Sequence, residues 1–307
     1  MNKTLIASAL GLMFASIAGS ALAAPDWASV PVRKVTVFHP GAASVEWVLN
    51  GIQHGGAVGL KKGERCISCH EDEKTQNIDI NADKILKAET LKSDKLEPKP
   101  VSNHVGTVPV NVQAANDGTN LYLRFSWKEP KGGMDAMDKD NPVKLAVMLE
   151  DNKVVAKDAK GKEVQIGMAG GCWGTCHTDA RTMPGVADDK KTKYVTGGSL
   201  AGGNYYDLMQ WKSGKGAKPV DGYVADKRVV TGGKALVSAE GKKDGDTWTV
   251  TFTRKLTGGE GDIALVSGKT YNMGFAIHSD NTAGRFHHVS FGYSLGIDTK
   301  ADITAAK

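Results

Sequence analysis

"TYNMGFAIH" at residues 270–278 sets Tyr271, Met273, Phe275 and Ile277 at every second position, with Asn272, Gly274, Ala276 and His278 between them. Side chains of an extended chain point alternately to opposite faces, so this spacing predicts a strand with one face in a core. The same period recurs along much of the chain. "DTWTVTFT" (246–253) sets Trp248, Val250 and Phe252 against a row of threonines, and "TNLYLRFSW" (119–127) aligns Leu121, Leu123 and Phe125. "HHVSFGYSL" (287–295) aligns His287, Val289, Phe291, Tyr293 and Leu295. With "VPVNVQA" (108–114) and "VKLAVML" (143–149) there are at least six half-buried antiparallel strands, for which a β-sandwich is the economical architecture.

Residues 25–100 show little of this alternation, "NADKILKAETLK" (81–92) reads as a short helix, and "LEPKPVSN" (96–103) has the prolines of a linker. The expected fold class is therefore mainly β. A C-terminal antiparallel β-sandwich spans 105–307, and a small, partly helical module over 24–104 precedes it. The glycine-rich stretch 166–218 reads as a long insertion in the sandwich, and loops of that length usually carry function. At the start, Lys3, an apolar run from Leu5 to Ala18 and small residues Ala21 and Ala23 form the pattern of a secretory signal peptide over 1–23. No later stretch reaches the roughly 20 apolar residues of a membrane helix, so no stable membrane insertion is expected. The expected location is the periplasm of a bacterium.

The 307 residues carry a formal charge of +5 with basic and acidic side chains interspersed, which names no partner. No phosphate loop, serine-histidine-aspartate set or nucleic-acid motif is present, so no nucleic acid is expected as a partner. The chemistry lies in the cysteines. All four fall in two short stretches, "CISCH" (66–70) and "CWGTCH" (172–177). Covalent haem attachment takes two thiols spaced for the two vinyl groups and a histidine beside the second that binds iron, and C-x-x-C-H meets that need. The second stretch is one residue wider but keeps the Cys-His adjacency. Local disulfides, common in exported chains, leave both histidines unexplained, and a zinc site built from two cysteine pairs does not require that adjacency. The expectation is two haem c groups, attached through Cys66 and Cys69 and through Cys172 and Cys176, with His70 and His177 on the irons.

Six further histidines can supply second axial ligands. His54 precedes Cys66 by twelve residues and is followed by Gly55 and Gly56, which let the backbone approach a flat ring; it is the candidate for the first haem, with His39 its rival. For the second haem His287 is in phase with the apolar face of its strand, where an imidazole must find a partner. His278 is the alternative, followed by His288, Met168 and Met183. Trp173, Trp47 and Trp211 are candidates to pack on a porphyrin, although core packing explains the last two equally well.

"YYDLMQWKSG" (205–214) and "FAIHSDNTAGRFHHVSFGYSLGI" (275–297) resemble the haem-binding domain of the γ subunits of type II DMSO-reductase-family enzymes, such as ethylbenzene dehydrogenase. "FHPGAASVEWV" and "HGGA" with "KGERCISCHEDE" are similar to the haem c module fused to that domain in multihaem periplasmic cytochromes. In the γ subunits the domain is a β-sandwich that holds a non-covalent haem b between methionine and lysine and relays electrons for a molybdenum partner. Here "CWGTCH" replaces a bare pocket and "FHHVS" falls where the lysine is expected, placing His287 in that role. The resemblance implies a covalent, bis-histidine haem at the same site.

The expected function is electron transfer by a dihaem c-type cytochrome in a respiratory chain, with redox proteins such as a quinol-oxidising cytochrome or a terminal reductase as partners. Two rivals stand beside it. One is a haem-based reductase or peroxidase with an open iron; the other is an electron-transfer subunit of a molybdoenzyme complex.

Overall fold

The computed structural model describes residues 24–41, 44–50, 54–87, 89, 104–131, 138–176, 194–195, 197–279 and 287–307. The segment expected to be a signal peptide, together with His177 and Met183, lies outside these residues. The elements begin with strand β1 (Arg33–Phe38) and helices α1 (Val45–Asn50), α2 (Ala57–Lys61), α3 (Cys66–His70) and α4 (Ala82–Leu86). Strands β2 (Thr107–Asn116), β3 (Asn120–Lys128), β4 (Lys144–Glu150), β5 (Val155–Lys157) and β6 (Glu163–Gln165) lead to helix α5 (Gly167–Cys176). The rest is β: β7 (Tyr206–Lys212), β8 (Val220–Val224), β9 (Arg228–Val229), β10 (Ser238–Asp244), β11 (Thr247–Lys255), β12 (Thr270–His278), β13 (His288–Val289), β14 (Tyr293–Ile297) and β15 (Ile303–Ala305).

One hydrogen-bonded sheet runs in the order β10-β11-β3-β2-β1-β13-β12-β4-β7-β8-β9, with β14 paired to β12 and β15 to β14. Neighbours along that order are antiparallel; β14 and β15 are parallel. Strands far apart in this order nevertheless touch. Phe125 of β3 and Phe275 of β12 have ring centroids 5.0 Å apart, and Trp211 of β7 and Trp248 of β11 are 5.2 Å apart. The sheet is therefore folded over on itself as two facing halves, the mainly β sandwich that the alternation predicts.

The facing interior takes the apolar rows read from the sequence: Leu121, Leu123 and Phe125 of β3, Val250 and Phe252 of β11, and Tyr271, Met273, Phe275 and Ile277 of β12 are all buried. Arg254 continues the row of β11 into the core. Its guanidinium pairs with Asp207 of β7 and donates to Ile263 O at 2.8 Å, while Ile263 N–H donates to Asp207 Oδ2 at 2.9 Å.

Strands β4 and β12 depart from the half-buried pattern, because β4 is buried throughout and β12 from its second residue on. Their outer face is covered by α5. At Gly274 of β12 an added Cβ would lie 2.1 Å from the backbone nitrogen of Cys172, so helix and strand are in backbone contact there. Two further differences concern order along the chain. β7 falls within the stretch read as an insertion. β1, in the segment with little alternation, pairs along its length with β2 and at Phe38 with Val289 of β13, so one sheet draws strands from both sides of residue 104.

Candidate functional site

The first cysteine stretch forms α3, a single helical turn. Positions i, i+3 and i+4 of a helix share a face, so Cys66, Cys69 and His70 are presented together. Arg65, immediately before the turn, pairs with Asp302 beyond β14, and Ile67 is buried in the core. These contacts anchor the turn at its start and along its inner side. Cys66 is buried and Cys69 exposed, and both are free thiols; Cys172 of the second stretch is buried. Burial pushes the Cys66 thiol up to about 12, with Cys69 adding to the rise.

His70 faces three groups. Its Nδ1 lies 2.8 Å from Asp79 Oδ1. Its ring stacks on Phe291 with centroids 5.8 Å apart at 22°. The His54 ring stands 6.0 Å away at 41°. Burial holds the His54 pKa below the ordinary imidazole value, and His70 lowers it further. Gly56 N–H donates to His54 Nδ1 over 3.2 Å. His39, the other candidate for this position, packs instead edge-on to His288, 6.4 Å away.

Residues 172–176 of the second stretch lie in α5, which is kinked at Gly171 (φ +52°, ψ −133°). Positive φ suits glycine, and a side chain there would also meet Phe291 C and O at 2.6 Å. The kink seats Cys172 and Trp173, both buried, against the β13–β14 connection: Trp173 N–H donates to Ser290 O at 3.4 Å, and the Trp173 ring meets Phe291 edge-on at 6.4 Å. Cys176 ends the helix, but its side chain is outside the described residues. His278 of β12 and His287, just before β13, are both buried, with rings stacked 4.8 Å apart at 22°. Candidate and alternative thus stand side by side.

Phe291 is the junction of the two stretches. It touches His70 of the first, Trp173 of the second, and Phe38 of β1 at 4.7 Å. Trp211 packs on Trp248 in the sandwich interior, and the Trp47 side chain lies outside the described residues. Beside β13 lies a histidine group that the sequence reading did not assemble. His288 Nε2 lies 2.7 Å from Val105 O and is assigned as donor, since a carbonyl can only accept. Burial lowers His39 to about 3, helped by His288 and His104, and lowers His288 to about 4 against the opposing effect of the Val105 carbonyl. Asp79 and Phe291 were also not singled out. Phe291 was legible only as one of an apolar row, and no motif spacing announced Asp79, nine residues beyond His70.

A haem carried by α3 can be tested against this geometry. Two metal–imidazole bonds of about 2.0–2.1 Å, with the distance from nitrogen to ring centre on each side, place the centres of two axial imidazoles roughly 6 Å apart. The His54–His70 separation fits that spacing. Among the described residues no three His, Cys, Asp or Glu side chains converge as a metal cage, and no helix is long and apolar enough to cross a membrane.

Residues 24–242 match the family described as Ethylbenzene dehydrogenase. The chain is 55% identical over its whole length to the whole of Cytochrome c-552 from Stutzerimonas stutzeri. It is 42% identical to Cytochrome c-551 from Rhodocyclus tenuis, over 92% of this chain and all of that protein. Among solved structures, a carbohydrate binding module family 9 from Caldicellulosiruptor kristjanssonii in complex with cellotriose aligns over 65% of this chain and 75% of that one. The TM-score is 0.30 at 9% identity, a likeness that bears on neither fold nor ligand.

Proposed function

The chain belongs to the ethylbenzene dehydrogenase family, and from that premise we propose that it is a periplasmic dihaem c-type cytochrome that passes electrons between redox partners in a respiratory chain. The relatives' names, both of cytochromes c, support covalent haem c as the cofactor and electron transfer as the activity. The observation that carries the dihaem reading is the Phe291 junction, where His70 and Trp173, one from each cysteine stretch, rest on the same ring. Two cofactors held at these stretches would be neighbours, as electron exchange between them requires.

Bound haem supplies one-electron iron chemistry at a potential set by its ligands and surroundings. The protein's part is to hold and shield. Cys66 and Cys69 anchor the first haem and Cys172 and Cys176 the second, with His70 and His177 as the adjacent iron ligands. His54 is the second ligand of the first haem, on the 6.0 Å spacing to His70. As placed, His54 accepts from Gly56 at Nδ1, so its Nε2 carries the proton. Binding iron through Nε2 requires that proton to move to Nδ1 and the Gly56 contact to be given up. His287, with His278 as alternative, serves the second haem while the other ring packs against it. The partners are redox proteins, a quinol-oxidising cytochrome or a terminal reductase among them.

The reductase or peroxidase reading draws on the same Gly56 contact: if it persists in the loaded protein, the first iron keeps an open side. Two measurements on protein from a haem-attaching host decide. Intact mass is expected to equal the processed chain with two haems, one on each cysteine stretch, and the ferrous protein is expected not to bind carbon monoxide rapidly. Colourless protein, or bonded cysteine pairs at 66–69 or 172–176, would end the cytochrome reading. Rapid carbon monoxide binding would shift it to the enzyme.

A further inference from the structure

This inference rests on His70 as an iron ligand and concerns the ring nitrogen facing away from the metal. Asp79 is fixed to the last residue of α3 twice, through Oδ1 at 2.8 Å from His70 Nδ1 and through its own N–H, which donates to His70 O at 3.0 Å. The chain between them is an ordered hairpin. Glu71 and Ile78 bridge antiparallel, Asp72 N–H donates to Asn77 O at 2.9 Å, and Asp72 Oδ1 accepts from the Thr75 N–H at 2.7 Å and hydroxyl at 2.9 Å. The hairpin is also tied to the sheet. Glu71 pairs with Arg33 of β1 and accepts the Tyr293 hydroxyl of β14 at 2.6 Å, while Gln76 Oε1 accepts the Lys34 N–H at 3.0 Å. The carboxylate is thus delivered to the imidazole by a braced turn.

A neutral imidazole that donates Nδ1–H to a carboxylate presents a lone pair at Nε2, and the carboxylate makes that nitrogen more basic. We propose that Asp79 is a positioning residue for the first haem: it holds His70 with Nε2 toward the iron, and its charge strengthens His70 as a donor, which lowers the midpoint potential of that haem relative to a neutral partner. Axial-ligand hydrogen bonding is one of the ways a protein sets haem potential. A plain surface ion pair would add little to stability and would leave the potential unchanged.

The test uses the full haem-loaded chain, with potentials from optical redox titration and thermal unfolding measured alongside. Asp79→Asn keeps an acceptor for Nδ1–H and removes the charge. It is expected to raise one midpoint, making reduction of that haem about tenfold more favourable, or ~59 mV for one electron, with the other midpoint and the thermal midpoint unmoved. Asp79→Glu is expected to restore part of the shift. Unchanged midpoints in Asp79→Asn, with or without lost thermal stability, overturn the proposal and leave the cytochrome reading intact. A wild-type 66–70 peptide without porphyrin removes both, which separates the two failures.

Discussion

Gly274 permits a contact that any side chain would forbid. A methyl there would sit 2.1 Å from a backbone nitrogen of α5, and neither strand nor helix has a flexible end that can yield. Gly274→Ala is expected to lower stability by about 1–3 kcal/mol, the usual range for overpacking, read as a lower urea midpoint at unchanged slope. An unchanged midpoint would mean that α5 does not rest on β12 as described. Asp117, in the β2–β3 turn, offers a pH test. Partial burial raises its pKa, but the Tyr122 hydroxyl, the Asn120 N–H and side chain, and the Thr119 N–H outweigh this and bring it to about 2 from the ordinary 3.8. Because the folded value lies below the unfolded one, its contribution is complete above about 3.8 and is lost as pH falls through about 2. Asp117→Asn is expected to flatten the acid limb of the stability profile in that window and to lower stability by a constant amount from about pH 4 up to neutral pH.

Between elements, the Arg254–Asp207 pair ties β11 to β7 across the sandwich. Both side chains are at most 1% exposed, and burial pushes Asp207 up to about 6 even with Arg254 opposing. Removing one partner of such a pair costs about 3–5 kcal/mol, because the other charge stays behind without water, whereas an apolar pair of similar volume is often neutral. Asp207→Leu alone is expected to show that loss, and Arg254→Met with Asp207→Leu to recover most of it. Double-variant destabilisation equal to the sum of the singles would refute the coupling. The same elements show what pattern reading can reach. Val250 and Phe252 stand opposite threonines on β11, so alternation identified that strand directly. On β12 it identified the inner face, but the outer face is small or polar (Asn272, Gly274, Ala276, His278), and nothing in that row says that a helix covers it. β1 was missed because its alternation is short: Thr36 alone stands between Val35 and Val37, and Phe38, on the face of Thr36, is apolar. Of the candidate site, the cysteine stretches were legible from spacing, while the Asp79 contact depends on a turn and the Phe291 junction on three distant segments meeting.

For the whole molecule, the pairing of Phe38 with Val289 has a bearing on biogenesis. The strand nearest the amino end cannot gain its second neighbour until some 250 residues later in the chain have arrived, and contacts of such separation form slowly. In a chain exported as proposed, the 66–70 segment would therefore emerge well before the sheet can close around it. Once closure occurs, Cys66 and Cys172 are 8% and 1% exposed and hidden from any lyase or porphyrin edge. Apoprotein refolded without haem is accordingly expected to stay at its bare mass when given haem, reductant and attachment machinery, whereas chain kept in urea acquires thioether adducts. Loading would then be a single early opportunity, and a molecule that closed too soon would be permanently colourless.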